Sequence, residues 1–164
     1  GSGCGFPGMA IAIAIPNSNI TLLDSSTKKT TFLKEVSKEL ELGSRLTVVS
    51  KRAELAGRES LWRGNFDYAI ARAVAPAPVV AEYLVPFLTL KGQALIFKGS
   101  WTRDDQLTLQ KALSKLKSEF KQTDTFELPN SRGTRNVIRI NLVDKCPNEY
   151  PRSIGKPRKQ PLGH

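Results

Sequence analysis

The chain begins Gly1-Ser2-Gly3-Cys4-Gly5-Phe6-Pro7-Gly8, and 21 residues beyond Gly3 the run Thr21-Leu22-Leu23 ends in Asp24. Glycines let a backbone take positive φ and approach a ligand where a Cβ would clash. An acid about 20 residues on, at the end of the next strand, accepts hydrogen bonds from both hydroxyls of a ribose. The pair therefore points to a nucleoside-containing cofactor. Counted from Gly1 the spacing is G-x-G-x-G, with Phe6 where a dinucleotide fingerprint carries glycine. That suits a ribose without phosphates, and S-adenosylmethionine is the expected cofactor. Gly3, Gly5 and Gly8 also satisfy G-x-G-x-x-G in a shifted frame, which keeps a nicotinamide-dependent reductase as a rival.

A loop of this kind follows a hydrophobic strand, yet residue 1 already lies in it. The expectation is a fragment of a longer protein whose first strand is missing. An appended Gly1-Ser2 scar is the alternative, but the motif itself needs Gly1 and Gly3.

Beyond the loop, strand and helix patterns alternate. Residues 9–15 read as an apolar helix stopped at Pro16, 20–24 as a strand, and 27–40 as a helix with Phe32, Leu33, Val36 and Leu40 on one face. Ser26 or Thr27 caps that helix. Residues 46–50, 66–71 and 92–97 read as strands, 53–61, 78–88 and 106–120 as helices, and 123–128 with 137–143 as a closing strand pair. Strands separated by helices imply parallel pairing with right-handed crossovers. The last two, joined through the Gly-containing turn 130–133, imply an antiparallel edge. The expected fold is α/β and Rossmann-like, of the class I S-adenosylmethionine-dependent methyltransferase type, with a mostly parallel sheet. Residues 1–145 form its domain. Residues 146–164, rich in proline and without periodicity, are expected to be a basic extended tail.

Ligands of open α/β sheets sit beyond the carboxyl ends of the strands. Asp24-Ser25-Ser26 is one such end, where Asp24 as ribose acceptor competes with Asp24 as a helix cap. At Ala53-Glu54 a main-chain or carboxylate acceptor suits an adenine amino group, against the alternative of a surface glutamate in a first helical turn. Arg72 closes the run Tyr68-Ala69-Ile70-Ala71, where an arginine is paired or faces a site. It suits a carboxylate of the cofactor or the orientation of a base. Lys98 follows Ala94-Leu95-Ile96-Phe97 in the same way, against simple snorkelling. Arg72, Lys98 and Arg135 are the candidate catalytic cations.

Absent motifs narrow the reaction. No [DN]-P-P-[FY] follows the fourth strand, as methylation of exocyclic amino groups would need, and Cys146-Pro147 reverses the Pro-Cys of cytosine C5 chemistry. Two cysteines without C-x-x-C and a single histidine, His164, exclude a zinc site and a histidine base. A target atom that already carries a lone pair, such as guanine N7, needs only alignment and electrostatics.

Net charge of +10 predicts a polyanionic partner. Residues 131–164 hold eight cations against Asp144 and Glu149, which is +6 of that total. RNA is preferred over an acidic membrane surface because no amphipathic anchor helix accompanies the charge; a merely solvated terminus is the bland alternative. Arg135, Arg139, Arg152, Lys156, Arg158 and Lys159 are the expected phosphate contacts. No apolar run reaches the roughly 20 residues of a membrane span, and the cytoplasm is the expected location.

The glycine loop with its Pro7-Gly8, Leu22-Leu23-Asp24-Ser25 with Lys28-Lys29 and Phe32-Leu33, Arg72-Ala73, Phe97-Lys98-Gly99, and Tyr150-Pro151-Arg152 with Gly155-Lys156-Pro157 and Pro161-Leu162 together resemble a known family. It is that of the bacterial 16S ribosomal RNA guanine-N7 methyltransferases, also called the glucose-inhibited division protein B family. The resemblance covers the whole chain. It implies methylation of guanine 527 of 16S ribosomal RNA, free or in a small-subunit precursor, by a cytoplasmic enzyme expected to be a monomer without metal. It implies cofactor contacts at Gly1, Phe6, Asp24, Ser25, Ser26, Ala53, Glu54 and Arg72. The family's N-terminal helical segment and first strand are the departure. A non-catalytic RNA-binding domain of the same fold is the remaining alternative.

Overall fold

A computed structural model describes residues 1–163. The chain divides into two compact units, Gly1–Ala53 and the part from Glu54 onward.

In the first unit the glycine loop leads into α1 (Gly8–Ala14), followed by β1 (Ile20–Asp24), α2 (Thr27–Glu39), a 3₁₀ turn (Gly43–Arg45) and β2 (Leu46–Ser50). β1 and β2 are parallel, in register from Ile20↔Leu46 to Asp24↔Ser50, with α2 as the crossover that parallel strands require. Met9, Ala12, Leu22, Leu33, Leu42 and Leu46 form the core. Helix α1 lies close on β1: a Cβ at Gly8 would stand 2.5 Å from Leu22 Cδ2. On α2, Leu33 is buried with Val36 partly so, whereas Phe32 and Leu40, expected on the same face, are exposed. Phe32 sits a 100° step round the helix from Leu33, while Thr30 is its i−3 neighbour and takes the buried place. The Thr30 hydroxyl is satisfied by donating to the Thr27 carbonyl at 3.0 Å.

The short helix α3 (Ala53–Ala56) begins on the last residue of the first unit, and in the second β3 (Phe66–Arg72), α4 (Ala77–Leu84), a 3₁₀ turn (Val85–Phe87), β4 (Leu88–Lys98), α5 (Arg103–Lys115), β5 (Ser118–Glu127), β6 (Thr134–Leu142) and α6 (Lys156–Lys159) follow. The sheet order is β3-β4-β6-β5. β3 and β4 are parallel, and β6 runs antiparallel to both β4 and β5. The antiparallel pair stands at the sheet's end as expected, with β6 inside and β5 outermost. Ile96, Leu109, Leu113, Leu116, Ile138 and Ile140 are fully buried.

Three helices are shorter than expected, and the one expected over 78–88 gives way after Leu84 to the 3₁₀ turn, with Leu88 already in β4. Helix α3 stops at Ala56, and residues 57–64 run in turns. Helix α5 ends because Lys117, just past its Leu116 cap, takes φ +56, the left-handed conformation that terminates helices. Residues 118–120 then open β5.

The extended tail expected after Lys145 is folded instead. Helix α4 is buried all round, and that burial includes Glu82, whose exposure is 0%. A buried carboxylate needs a counter-charge. Arg152 supplies it, donating through its amide (2.8 Å), Nε (2.9 Å) and Nη2 (2.7 Å) to the two carboxylate oxygens. Arg63 donates to the carbonyls of Cys146, Pro147 and Tyr150, and Arg58 to those of Glu149 and Pro151. The Gly155 amide donates to buried Glu54, and Arg158 to the Val74 carbonyl. Tyr150, Pro151, Pro157 and Leu162 are buried. The segment is basic in composition but structural in its contacts.

Arg152→Leu leaves Glu82 buried and unpaired. The expected loss in the full-length protein is about 3–5 kcal/mol, or on the order of 10 °C in melting temperature. The double variant Glu82→Leu with Arg152→Leu should recover most of it. A single variant that melts with the wild type would show that the pair does not hold the segment.

Candidate functional site

In the first unit, Asp24 organises the glycine loop. Its Oδ2 accepts from the Gly3 amide at 2.9 Å and its Oδ1 from the Ser26 amide at 3.0 Å. The Ser2 amide and the amino group of Gly1 both donate to the Leu23 carbonyl, at 2.8 and 2.7 Å. The loop is thus laced to the carboxyl end of β1. Its glycines serve two purposes. Gly3, at φ +58, would meet no atom within 4 Å if it carried a Cβ, so its face is open. Gly5, at φ +100, is buried against Leu33 and Met9, which a Cβ would approach to 3.0 and 3.2 Å.

Burial by itself would raise the Asp24 carboxyl, but the amides of Ser26 and Gly3, with nearby positive charge that includes Lys29, outweigh it and hold it below the usual carboxylate range. Asp24 therefore stays ionised at neutral pH. Each oxygen takes one amide, and a carboxylate offers about four lone-pair sites, so acceptor capacity remains for ribose hydroxyls. The helix-cap alternative does not fit, because the N-cap of α2 is Ser26. Phe6 and Ser25 are exposed, and Arg52 donates to Ser25 Oγ at 3.5 Å.

In the second unit, strand register joins the other candidates. Arg72 ends β3 opposite Phe97, Lys98 is the next residue of β4, and Lys98 faces Asn136, the neighbour of Arg135 on β6. Three cations therefore share one end of the sheet, at the carboxyl ends of its parallel strands. Arg72 is exposed, and its side chain has no bonded partner among the described residues. Ala73 after it takes φ +54, a left-handed turn that a non-glycine residue adopts at a cost and that recurs at functional sites. Asn136, buried, donates to the Gly99 carbonyl and accepts from Thr125, which fixes the turn beyond Lys98.

Of the expected contacts, exposed Arg158 donates to the Val74 carbonyl, and three more are held by carboxylates or by burial. Arg152 is neutralised by Glu82, and Arg139 pairs with Asp124 and also reaches Gln93. Glu54 is buried, not at the surface, and accepts from Tyr83 and from Gly155. Each is held because an unpaired buried or half-buried charge is costly. Arg135, Lys156, Arg158 and Lys159 are exposed. Sequence reading passed over Glu82, Arg58, Arg63 and Asn136. A lone glutamate inside the apolar stretch 77–88 was the available signal for the first. Burial pushes the Cys146 thiol up to about 11, so it is neutral and no nucleophile. Among the described residues no cluster of His, Cys, Asp and Glu could hold a metal, and no helix is long and apolar enough to cross a membrane.

The GidB family, rRNA small subunit methyltransferase G, matches residues 1–137. A ribosomal RNA small subunit methyltransferase G of Prochlorococcus marinus (strain NATL2A) is 71% identical over 164 residues, which are all of this chain and 66% of that protein. Its counterpart from Synechococcus sp. (strain CC9311) is 46% identical, with 65% of its length covered. The chain thus spans just under two thirds of the relatives it matches. Among solved structures, a variant of the 16S rRNA (adenine(1408)-N(1))-methyltransferase from Catenulisporales acidiphilia superposes with a TM-score of 0.70 at 17% identity, covering 93% of this chain and 84% of that one. At that identity the likeness shows the fold, which is Rossmann-like.

Asp24→Ala removes the acceptor and is expected to weaken binding of an adenosine-containing cofactor by about 1.5–3 kcal/mol, roughly ten- to hundredfold; calorimetry on the full-length protein checks it. Unchanged affinity would reduce Asp24 to a loop-bracing residue. Because the folded carboxyl is held below the usual carboxylate range, its stabilisation is present above that range and is lost as pH falls through the lowered value. Melting curves of Asp24→Asn should lack that part of the acid limb.

Proposed function

Since the chain belongs to the rRNA small subunit methyltransferase G family, we propose that it transfers a methyl group from S-adenosylmethionine to N7 of a guanine in 16S ribosomal RNA, guanine 527 by resemblance. The observation that carries this is the ionised Asp24 at the end of β1, laced to a glycine loop whose Gly3 face is open. The residues fit a cofactor that offers a ribose and no phosphates. When bound, S-adenosylmethionine supplies an electrophilic methyl group on a sulfonium.

The residues then have limited work to do. Guanine N7 presents its lone pair without loss of a proton, so no general base is required. S-adenosylmethionine held there would supply the methyl carbon to that lone pair, its sulfur keeping the electron pair of the carbon–sulfur bond. Asp24 orients the ribose by accepting from its hydroxyls, and Gly3 lets the backbone come close. Arg72, whose guanidinium is exposed and uncommitted, stacks on or hydrogen-bonds to the guanine. Lys98 and Arg135, on the neighbouring strands, hold the phosphates of the target nucleotide. The substrate places the work in the bacterial cytoplasm, with the protein acting as a monomer.

The test uses full-length protein, labelled S-adenosylmethionine and 16S ribosomal RNA. The wild type should label guanine N7, and Arg72→Ala should lower turnover while leaving the salt dependence of RNA binding nearly unchanged. Titration with S-adenosylhomocysteine and with NAD(P) separates the rivals. Binding of NAD(P) alone would make the protein a reductase, and RNA binding without either cofactor would make it a non-catalytic module.

A further inference from the structure

A cleft of about 430 Å³ in the second unit is lined by Arg58, Glu149, Tyr150, Arg152, Ser153 and Lys156. It lies between the turns that follow α3 and the folded C-terminal segment. Arg58 is exposed, yet its guanidinium is immobilised by the Pro151 carbonyl on Nε and the Glu149 carbonyl on Nη2, both at 2.9 Å. Ordering a long cationic side chain normally costs entropy when a ligand arrives; here the protein's own carbonyls have ordered it beforehand. Nη1 is left to donate outward. Lys156 and Ser153 are exposed, and their side chains have no bonded partner among the described residues.

The charges of the lining decide its sign. The Arg152 charge is matched by Glu82 behind it. Arg58 and Lys156 then stand against the single carboxylate of Glu149, and the exposed Arg158 and Lys159 of α6 add to the positive side. The free Nη1 of an immobilised guanidinium, an ammonium and a hydroxyl together supply the charge and the separate donors that suit a phosphodiester. The segment is also tied to the turn after Arg72, because Arg158 donates to the Val74 carbonyl at 2.9 Å.

The geometry points to this cleft as a phosphodiester subsite for the backbone of the RNA substrate, with Arg58, Ser153 and Lys156 as its donors. The assignment rests on the RNA-directed function proposed above. It replaces Arg152, expected from the sequence to touch phosphate, with Arg58.

Binding of full-length protein to 16S ribosomal RNA, measured across a salt series, tests it. Lys156→Gln should weaken binding and lower the slope of log K against log salt by about 1. Lys156→Arg should restore the slope, and Lys34→Gln, on the exposed face of α2, should leave it alone. Ser153→Asp puts an acid into the cleft and should weaken binding with an unchanged melt, which keeps the test open if Lys156→Gln folds poorly. A wild-type slope in Lys156→Gln with wild-type binding in Ser153→Asp, or an equal loss in Lys34→Gln, would overturn the subsite. Failure to methylate RNA that still binds with the expected slopes would instead sink the catalytic reading and leave the cleft standing.

Discussion

A carboxylate with no solvent exposure, Glu82 on an otherwise apolar α4, constrains the whole C-terminal part of the molecule. An isolated buried charge is too costly to persist, so the carboxylate must be paired and hydrogen-bonded where it lies. Arg152 meets both requirements with one planar group and one amide. Once that pair forms, residues 146–163 are committed to the surface of the second unit. Their carbonyls fall within reach of Arg58 and Arg63, and Gly155 within reach of Glu54. The pair need not be a large net source of stability, since its desolvation offsets much of its attraction. Its effect is specificity of placement.

Asp24 plays a comparable part in the first unit. There too one acid gathers backbone amides, one from the remote Gly3 and one from the adjacent Ser26, and the loop takes its shape from those bonds. The difference lies in what remains available. Glu82 is consumed by Arg152, whereas Asp24 keeps lone pairs beside an open glycine. One carboxylate builds the scaffold and the other builds and serves a site.

The same distinction sorts the cations. Arg63, Arg139 and Arg152 are held by the protein's own oxygens, so their charge is largely answered internally. Arg72, Lys98, Lys156 and Lys159 are not held in this way. Arg58 stands between the groups, fixed by two carbonyls and still presenting an N–H face. A count of basic residues therefore overstates the surface open to a polyanion, and the hydrogen-bond partners say which part of it is usable.

The sequence by itself determined what is local or periodic. The glycine loop and Asp24, the alternation of strand and helix, the positions of β1, β2 and β6, and Arg72 and Lys98 at strand ends were all legible, because φ/ψ restrictions and apolar periods act within a few residues. Helix ends such as Lys117, and the exact buried face of α2, were less legible, since a single left-handed residue or one 100° step decides them. Only the tertiary structure decided the fate of the C-terminal segment. Its prolines and lysines read as a basic extended tail, yet its partners Glu82 and Glu54 lie 70 and 101 residues away. No local pattern encodes that distance; the requirement that buried carboxylates be paired and hydrogen-bonded does, and it acts only once the sheet and α4 have put them out of reach of water.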